Sequence, residues 1–452
     1  MNTVSRTKDI SKKIGIWGLG VSGKKLLGFF HEQNYQIAIL EHPEKIAALS
    51  PLLSQYPCTK YFDPRERALF FAESDYIIPS PGIEIPPEIP HKEKLWAELD
   101  CFTTFNTKKI IGITGTLGKT STTTLLTNLL NQTSQTAVTG GNIGNGIIDV
   151  LLQKGDIAVL ELSSFQLELA KSCAPDIAII TNFFANHLDR HKTLNAYQEA
   201  KLNVIRQQRP NQHAVINCAF AESCAYRLPT NAQVTVFGKP TKKEPPTNYT
   251  HVFQQADGSI VKKQKSKTTI LLPVKAIPNI SFPENWLIIA ATLDILGCLH
   301  ILTHKTTTYV LPEHRMEFVR LHNRIRYIND SKSTLMEATR AAICQLHMPE
   351  KTILLFGGLS KGVDRTKILD WIAPCKHIVC FGHEAAMLSQ ACAEQNISAT
   401  AYKDLEAALM HARALAEPGD TILLSPGGSS YDLFHSYEER GTFFKQLVKT
   451  LS

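Results

Sequence analysis

Apolar residues in this chain fall in short unbroken runs, separated by stretches with helical spacing. Ile14-Gly15-Ile16-Trp17, Ile37-Ala38-Ile39-Leu40, Ile110-Ile111-Gly112-Ile113, Ile177-Ala178-Ile179-Ile180, Thr352-Ile353-Leu354-Leu355-Phe356 and Thr421-Ile422-Leu423-Leu424 are such runs. Their length without polar alternation fits strands covered on both faces, as in a parallel sheet. Between them Leu125, Leu126, Leu129 and Leu130 share one face of a helix over 121–130. Further helices are expected over 197–205 and over 285–299. Strands alternating with helices predict the α/β class with mostly parallel sheets.

Proline and glycine punctuate this pattern. The run Ser80-Pro81-Gly82-Ile83-Glu84-Ile85-Pro86-Pro87 has to be irregular. A helix is expected after it, from His91 to Asp100, with a first boundary just beyond. The stretch from Lys239 to Lys267 is polar and broken by prolines, and Ala256-Asp257-Gly258-Ser259 reads as a hairpin turn at a sheet edge. Leu311-Pro312-Glu313-His314-Arg315 reads as a second joint. With 452 residues, more than one ordinary core holds, the chain divides into domains over 1–104, 105–312 and 313–452.

Composition narrows the class. Hydrophobic residues are 43% and charged residues 20%, the balance of a soluble globular protein. The net charge of +7 suits anionic small substrates, but the cations are scattered and give no nucleic-acid signature. Their one cluster, Lys262-Lys263-Gln264-Lys265-Ser266-Lys267, reads as a solvated loop or hairpin edge. The ten cysteines form no Cys-x-x-Cys pair and no zinc spacing, so they read as free thiols in a reducing compartment. The N-terminus is polar and no stretch is long enough to span a membrane, so a cytoplasmic enzyme is expected.

Candidate chemistry begins at Gly112-Ile113-Thr114-Gly115-Thr116-Leu117-Gly118-Lys119-Thr120. A glycine loop between a strand and a helix lets backbone amides meet phosphate oxygens. Lys119 would reach the outer phosphates, and the Thr120 hydroxyl would face Mg2+. A second glycine motif, Gly18-Leu19-Gly20-Val21-Ser22-Gly23, follows the first strand, with Glu41 closing the next. Alone it says only that an anion, such as a nucleotide diphosphate, sits at a helix N-terminus. Val21 and Ser22 would then line a base or phosphate pocket.

Other groups stand at strand ends, where ligands of open parallel sheets bind. Glu161 ends the strand from Asp156 and suits magnesium. His187 follows the strand over 177–182 and could be a metal ligand or a phosphate donor. Lys201, on the helix over 197–205, reads by itself as a surface lysine. Asp330 and Lys332 in Asn329-Asp330-Ser331-Lys332-Ser333-Thr334, Lys361 in Gly357-Gly358-Leu359-Ser360-Lys361-Gly362, and Ser425-Pro426-Gly427-Gly428-Ser429-Ser430 could converge on an anionic amino acid.

Taken together, these pieces resemble the Mur ligases of peptidoglycan synthesis over nearly the full chain. The runs Gly140-Gly141-Asn142-Ile143-Gly144, Asn186-His187-Leu188-Asp189-Arg190, His314-Arg315-Met316-Glu317 and Tyr437-Glu438-Glu439-Arg440-Gly441 join those above in order. Glu161-Leu162-Ser163-Ser164-Phe165-Gln166-Leu167 and Asn329-Asp330-Ser331-Lys332 point to the D-glutamate-adding branch. The resemblance implies three domains: a Rossmann-like N-terminal domain holding a UDP-linked substrate, a central P-loop ATPase-type sheet, and a C-terminal Rossmann-like domain taking the amino acid. It implies ATP-dependent addition of D-glutamate to UDP-N-acetylmuramoyl-L-alanine through an acyl phosphate. ATP and these two small molecules are the expected partners of a monomer, with no nucleic acid and no membrane.

The resemblance also implies roles. Lys119, Glu161, His187 and Lys201 would be catalytic. Thr120, Glu161, His187 and a carbamoylated Lys201 would hold two Mg2+ ions. Gly115, Thr116, Gly118, Lys119, Thr120, Ser121, Asn285, Arg315 and Asp330 would bind ATP. Gly20, Val21, Ser22, Glu41, Ser80, Pro81, Gly82 and Asn142 would contact the UDP substrate. Lys332, Thr334, Lys361, Ser430 and Tyr437 would bind D-glutamate.

Four positions depart from the family pattern. Leu117 replaces a usual asparagine, Glu284-Asn285 replaces a common His-Asn pair, Glu41-His42-Pro43 replaces an Asp-Thr-Arg, and Gly427-Gly428-Ser429 replaces Ala-Cys-Ala. A sibling amide ligase, an NAD-dependent oxidoreductase built on the first glycine motif, and a silent nucleotide-binding protein are the competing readings. The oxidoreductase leaves the second phosphate loop without a purpose.

Overall fold

The structure is a computed structural model that describes residues 10–80, 82–86, 88–278, 282–346, 348–360 and 364–451. Three sheets follow one another along the chain. The first is parallel, with strands in the order Thr59–Tyr61, Gln36–Leu40, Lys13–Trp17, Tyr76–Pro79. The second has nine strands: Lys267–Leu272, Ile260–Gln264, Thr250–Gln254, Gln233–Phe237, His213–Asn217, Ile177–Ile180, Lys109–Thr114, Ile157–Glu161, Ala137–Gly141. Its last seven are parallel, and the first three form an antiparallel edge. The third runs Glu317–His322, Ile325–Asn329, Thr421–Leu424, Thr352–Gly357, His377–Phe381, Ala399–Tyr402, antiparallel only at its first pair. The fold is thus α/β with predominantly parallel sheets, as the apolar runs require.

The chain divides into two compact units, Met1–Pro278 with Pro283–Tyr309, and Asn279–Phe282 with Val310–Ser452. The first unit contains the first two sheets. Buried Ile14, Ile16, Leu26, Phe30 and Ile39 fill the core of the first sheet, and Leu160, Ala178, Ile180, Val204 and Ile216 that of the second. Asp100 ties the two regions together. Its fully buried carboxylate accepts the Lys171 amide at 3.0 Å, the Ser172 amide at 2.6 Å and the Ser172 hydroxyl at 2.9 Å. In the second unit both sheet faces are covered, one by Ile343, Ile368 and Leu388, the other by Leu409, Phe444 and Val448. Each such side chain contributes about 1.5–3 kcal/mol on burial.

Local differences from expectation have plain causes. The segment His91–Asp100 is not one helix: a 3-10 turn over Lys92–Lys94 precedes a helix over Glu98–Phe105. His91 has φ +56°, which a right-handed helix excludes, and Leu95 and Ala97 are extended. The apolar helix runs Pro283–Ile295, and Gly297, at φ +73°, turns the chain before Leu299. The turn at Ala256–Ser259 does join antiparallel strands, and the lysine cluster spans the next hairpin, with Lys262 paired to Asp294. Among the described residues, no helix is long and apolar enough to cross a membrane.

Candidate active site

The strand Lys109–Thr114 runs through the glycine loop into the helix Lys119–Leu130. Gly115 has φ +142°, and a Cβ there would meet Thr181 Oγ1 at 1.9 Å, so the close approach demands glycine. The loop is held from outside. Asn182 Oδ1 accepts the Leu117 amide at 2.8 Å, and Thr181 Oγ1 donates to the Leu117 carbonyl at 2.6 Å. Thr116 Oγ1 accepts the Phe184 amide. The backbone at Leu117 is therefore fixed without the asparagine usual there. Lys119 Nζ folds onto its own loop, donating to the carbonyls of Gly115 at 2.9 Å and Thr116 at 3.0 Å. Thr120 and Ser121 are buried in the first helical turn. Asn285 is buried against the loop: its Oδ1 would lie 3.3 Å from a Cβ at Gly118 and accepts from Thr122.

Glu161 ends its strand in register with Ile113 and is 2% exposed. One carboxylate oxygen accepts from Asn142 Nδ2 at 3.2 Å; the other, Oε2, is buried with no partner. The Asn142 amide also donates to the Glu161 carbonyl. Asn142, expected to touch substrate or phosphate, also orients this carboxylate. An unsatisfied buried acceptor is costly, and a cation would satisfy it.

Lys201 is not a surface lysine. It is 1% exposed, with Nζ donating to the Gly115 carbonyl at 2.8 Å and lying 4.5 Å from the centre of the Tyr197 ring. Burial pushes its ammonium well below the ordinary lysine range, and Lys119 pushes the same way. The amphipathic helix Leu194–Arg206 turns this face inward, behind Thr193, which caps it by accepting the Ala196 amide. His187, at φ +53°, sits one turn before the buried His191. Its ring meets Phe165 at 5.0 Å and Tyr197 at 6.2 Å, so His187 and Lys201 flank one tyrosine. Among the described residues no three His, Cys, Asp or Glu side chains gather as a metal cluster.

At the first glycine motif a Cβ on Gly23 would strike the Gly18 carbonyl at 2.0 Å, which fixes the tight turn. Gly20 faces open space and Val21 is 76% exposed at the start of its helix. Ser80 Oγ donates to the Gly18 carbonyl. Glu41 accepts the amides of Leu19 and His42 and the Lys45 ammonium. Burial alone would raise its carboxyl, but these donors hold it below the ordinary value. Gly18, Gly20, Val21, Glu41, Lys45, Ser80 and Gly82 border a cavity of about 820 Å³. A narrow crevice, also lined by Ser80 and Ile83, continues past Glu98 to Phe165, Gln166 and Arg190. Phe165 in turn touches His187.

The second unit carries the remaining candidates. Arg315 pairs with the fully buried Asp330 at 3.1 Å. Burial raises the Asp330 carboxyl, and Arg315, Ser333 and Ser425 only partly offset it. Lys332 Nζ donates to the Tyr437 hydroxyl at 2.9 Å. Ser430 is buried, and Thr334 donates its amide to the Lys332 carbonyl. Pro81 and Lys361 lie outside the described residues.

Sequence reading passed over several neighbours. Tyr197 stands four residues before Lys201, a spacing that shares a helix face. Arg440 is fully buried: it donates to the Ser331 and Gly428 carbonyls, and burial lowers its guanidinium to about 9. Arg365, buried beside it, bonds the carbonyls of Gly357, Gly358 and Pro426 and gives no sequence signal.

Known proteins share the sequence and the fold of this chain. Residues 113–281 match the Mur ligase middle domain, and residues 314–428 the Mur ligase, glutamate ligase domain. The UDP-N-acetylmuramoylalanine--D-glutamate ligase of Leuconostoc mesenteroides is 34% identical over 391 residues, covering 84% of each chain. That of Alkaliphilus metalliredigens is 30% identical over 98% of each. The MurF ligase from Thermotoga maritima in complex with ADP shares the fold, with TM-score 0.57 at 17% identity, over 98% of this chain and 100% of that one.

Proposed function

The chain belongs to the Mur ligase family, and from that premise we propose that it joins D-glutamate to UDP-N-acetylmuramoyl-L-alanine in peptidoglycan synthesis, driven by ATP. The observation that carries this is the orphaned, buried Glu161 oxygen on the strand beside the one that leads into the phosphate loop. In this reading residues 1–104 hold the UDP moiety, 105–312 hold ATP, and 313–452 hold D-glutamate. The enzyme is a cytoplasmic monomer.

A carboxylate is a poor acyl donor, and phosphorylation gives it a good leaving group. The substrate carboxylate attacks the γ-phosphorus of ATP, ADP departs, and the D-glutamate amine then displaces phosphate from the acyl phosphate. The chain gathers negative charge and aligns it. Loop amides and Lys119 cradle the transferring phosphate, Asn285 supports the loop, and Asn142 fixes the Glu161 rotamer. Lys332, Thr334, Lys361, Ser430 and Tyr437 receive the amino acid, with Arg315 and Asp330 on the nucleotide side. Gly20, Val21, Ser22, Glu41, Ser80, Pro81 and Gly82 hold the UDP end.

The reading includes two Mg2+ ions. Glu161 Oε2 and the Thr120 hydroxyl would hold one, and His187 with Lys201 the other; the ions would neutralise phosphate charge. For Lys201 this requires carbamoylation. The neutral amine adds carbon dioxide, an N–C bond forms and one proton leaves, giving an anionic carbamate. A buried lysine that meets a carbonyl and a ring favours the neutral amine this step needs.

The test supplies UDP-N-acetylmuramoyl-L-alanine, ATP, Mg2+ and D-glutamate to the purified chain and weighs the product. One amide-linked glutamate per ADP released is expected. Equal rates with L-glutamate, or no triphosphate consumed, would overturn the reading.

A further inference from the structure

Two cationic side chains, Lys45 and Arg67, and the His42 imidazole line the large cavity beside the first glycine motif. Lys45 is paired with Glu41 at 3.1 Å. Pro43, beside them, offers neither charge nor an amide proton. Arg67 differs from the others. Its guanidinium carbon lies 4.7 Å from the Trp17 ring centre and 5.8 Å from that of Phe71. It makes no hydrogen bond or ion pair among the described residues, although it is half-buried. Glu66, its chain neighbour, accepts instead the amides of Phe62 and Asp63.

An arginine laid on an aromatic face keeps its charge in place while its five donors stay in the plane of the guanidinium. Stacking therefore fixes position without using the donors. The cavity beside them is mainly apolar, bounded by Trp17, Leu40, Phe62, Ile83 and Pro86. Its volume exceeds what one planar base requires. The helix N-terminus at Gly20 and Val21 lies on the same cavity and suits a diphosphate. The anion and the planar group of one nucleotide thus have separate places, and Arg67 stands among the apolar walls.

We propose that Arg67, held on Trp17, is the residue that selects a pyrimidine base bearing a carbonyl at position 4, by donating hydrogen bonds to its carbonyl oxygens. The proposal rests on the reading of this cavity as the UDP subsite. It adds a reader from outside the glycine motif and the Glu41 strand. Uracil offers carbonyl oxygens at positions 2 and 4. Cytosine replaces the second by an amino donor, which faces a guanidinium badly, and adenine offers neither. Trp17 acts through Arg67 as a positioning residue.

Binding of UDP, CDP and ADP to the full chain by calorimetry, in wild type and in Arg67→Ala, Arg67→Lys and Trp17→Leu, tests this. The wild type should prefer UDP over CDP. Arg67→Ala should weaken UDP by about 10-fold or more, the size of a hydrogen bond to a charged group, and CDP and ADP far less. Arg67→Lys, which keeps the charge but loses the planar fork, should recover only part. Trp17→Leu should weaken UDP with the same base selectivity lost. Unchanged melting temperatures show that the variants are folded. Equal losses for all three nucleotides would make Arg67 a phosphate contact and overturn the proposal, as would UDP affinity unchanged in Arg67→Ala. Failure of the wild type to bind UDP at all would instead overturn the assignment of the cavity.

Discussion

Asn142 Nδ2 donates to one oxygen of Glu161 at 3.2 Å, while the other oxygen of that carboxylate is buried with no partner. One side chain thus fixes the rotamer and leaves a single buried acceptor unsatisfied. The Asn142 backbone repeats the tie by donating to the Glu161 carbonyl at 2.8 Å.

Glu161→Gln keeps the shape and removes the charge. Phosphate release at saturating substrate should fall ~100-fold or more, the usual cost of one misplaced electrostatic group. Thermal stability should stay level or rise, since an unpaired buried charge is gone. Asn142→Ala frees the carboxylate and should cost about 10-fold, with a higher Mg2+ requirement as the signature. Normal turnover in Glu161→Gln would exclude the carboxylate from the reaction.

Lys119 and Lys201 both donate to the Gly115 carbonyl, at 2.9 Å and 2.8 Å, yet they should fail differently. Lys119→Ala removes the cation from the transferring phosphate, and activity should drop ~100-fold or more with no chemical rescue. Lys201→Ala should be equally slow but regain part of its rate with short carboxylic acids, which can replace a carbamate in the vacated space. Intact mass measured under bicarbonate should show carbamate mass on the wild type alone. Full activity of Lys201→Ala without added acid would rule out a metal-bridging role.

Asp100 is a stability residue. Its carboxylate gathers the Lys171 and Ser172 amides and the Ser172 hydroxyl in a fully buried place. Asp100→Ala removes the acceptor of four donors, the Ala97 amide included, and should cost about 3 kcal/mol or more. Urea denaturation of wild type and variant measures this. A difference below about 0.5 kcal/mol, the range of neutral surface changes, would contradict the account.

Much of this was legible in the residues themselves. Uninterrupted apolar runs gave away parallel strands, because only two-sided burial permits them. Gly115, Gly118 and Lys119 were readable because few sequences fold a glycine loop into a helix this way. Lys201 was not, for a lysine four residues after a tyrosine looks like any solvated helix face. Its burial depends on Gly115, 86 residues earlier, which no local pattern records. Arg67 on Trp17 escaped notice for the same reason: the stack joins the end of one strand to the start of a helix about fifty residues later. His91 defeated the helix expected over 91–100 because a left-handed residue leaves no mark in apolar spacing.

Glu98 gives the fold a pH dependence whose sign is fixed. Its side chain faces Ser22, the Ile148 amide, Asp149 and Lys25. Burial is the dominant influence and raises the carboxyl above its ordinary value, with Asp149 adding to it; the Ile148 amide, Ser22 and Lys25 pull the other way without prevailing. A raised acid is harder to ionise in the folded chain than in the unfolded one. Below the ordinary carboxylate value both states hold the proton and nothing is lost. As the pH rises through the folded value the unfolded chain gives up its proton first, and stability declines. Glu98→Gln should therefore match wild type near pH 4 and exceed it near pH 8, with the gap opening between. Urea midpoints taken across that range decide the matter: a variant that is weaker at pH 8 would mean that the ionised carboxylate, and not the neutral acid, is what the fold holds.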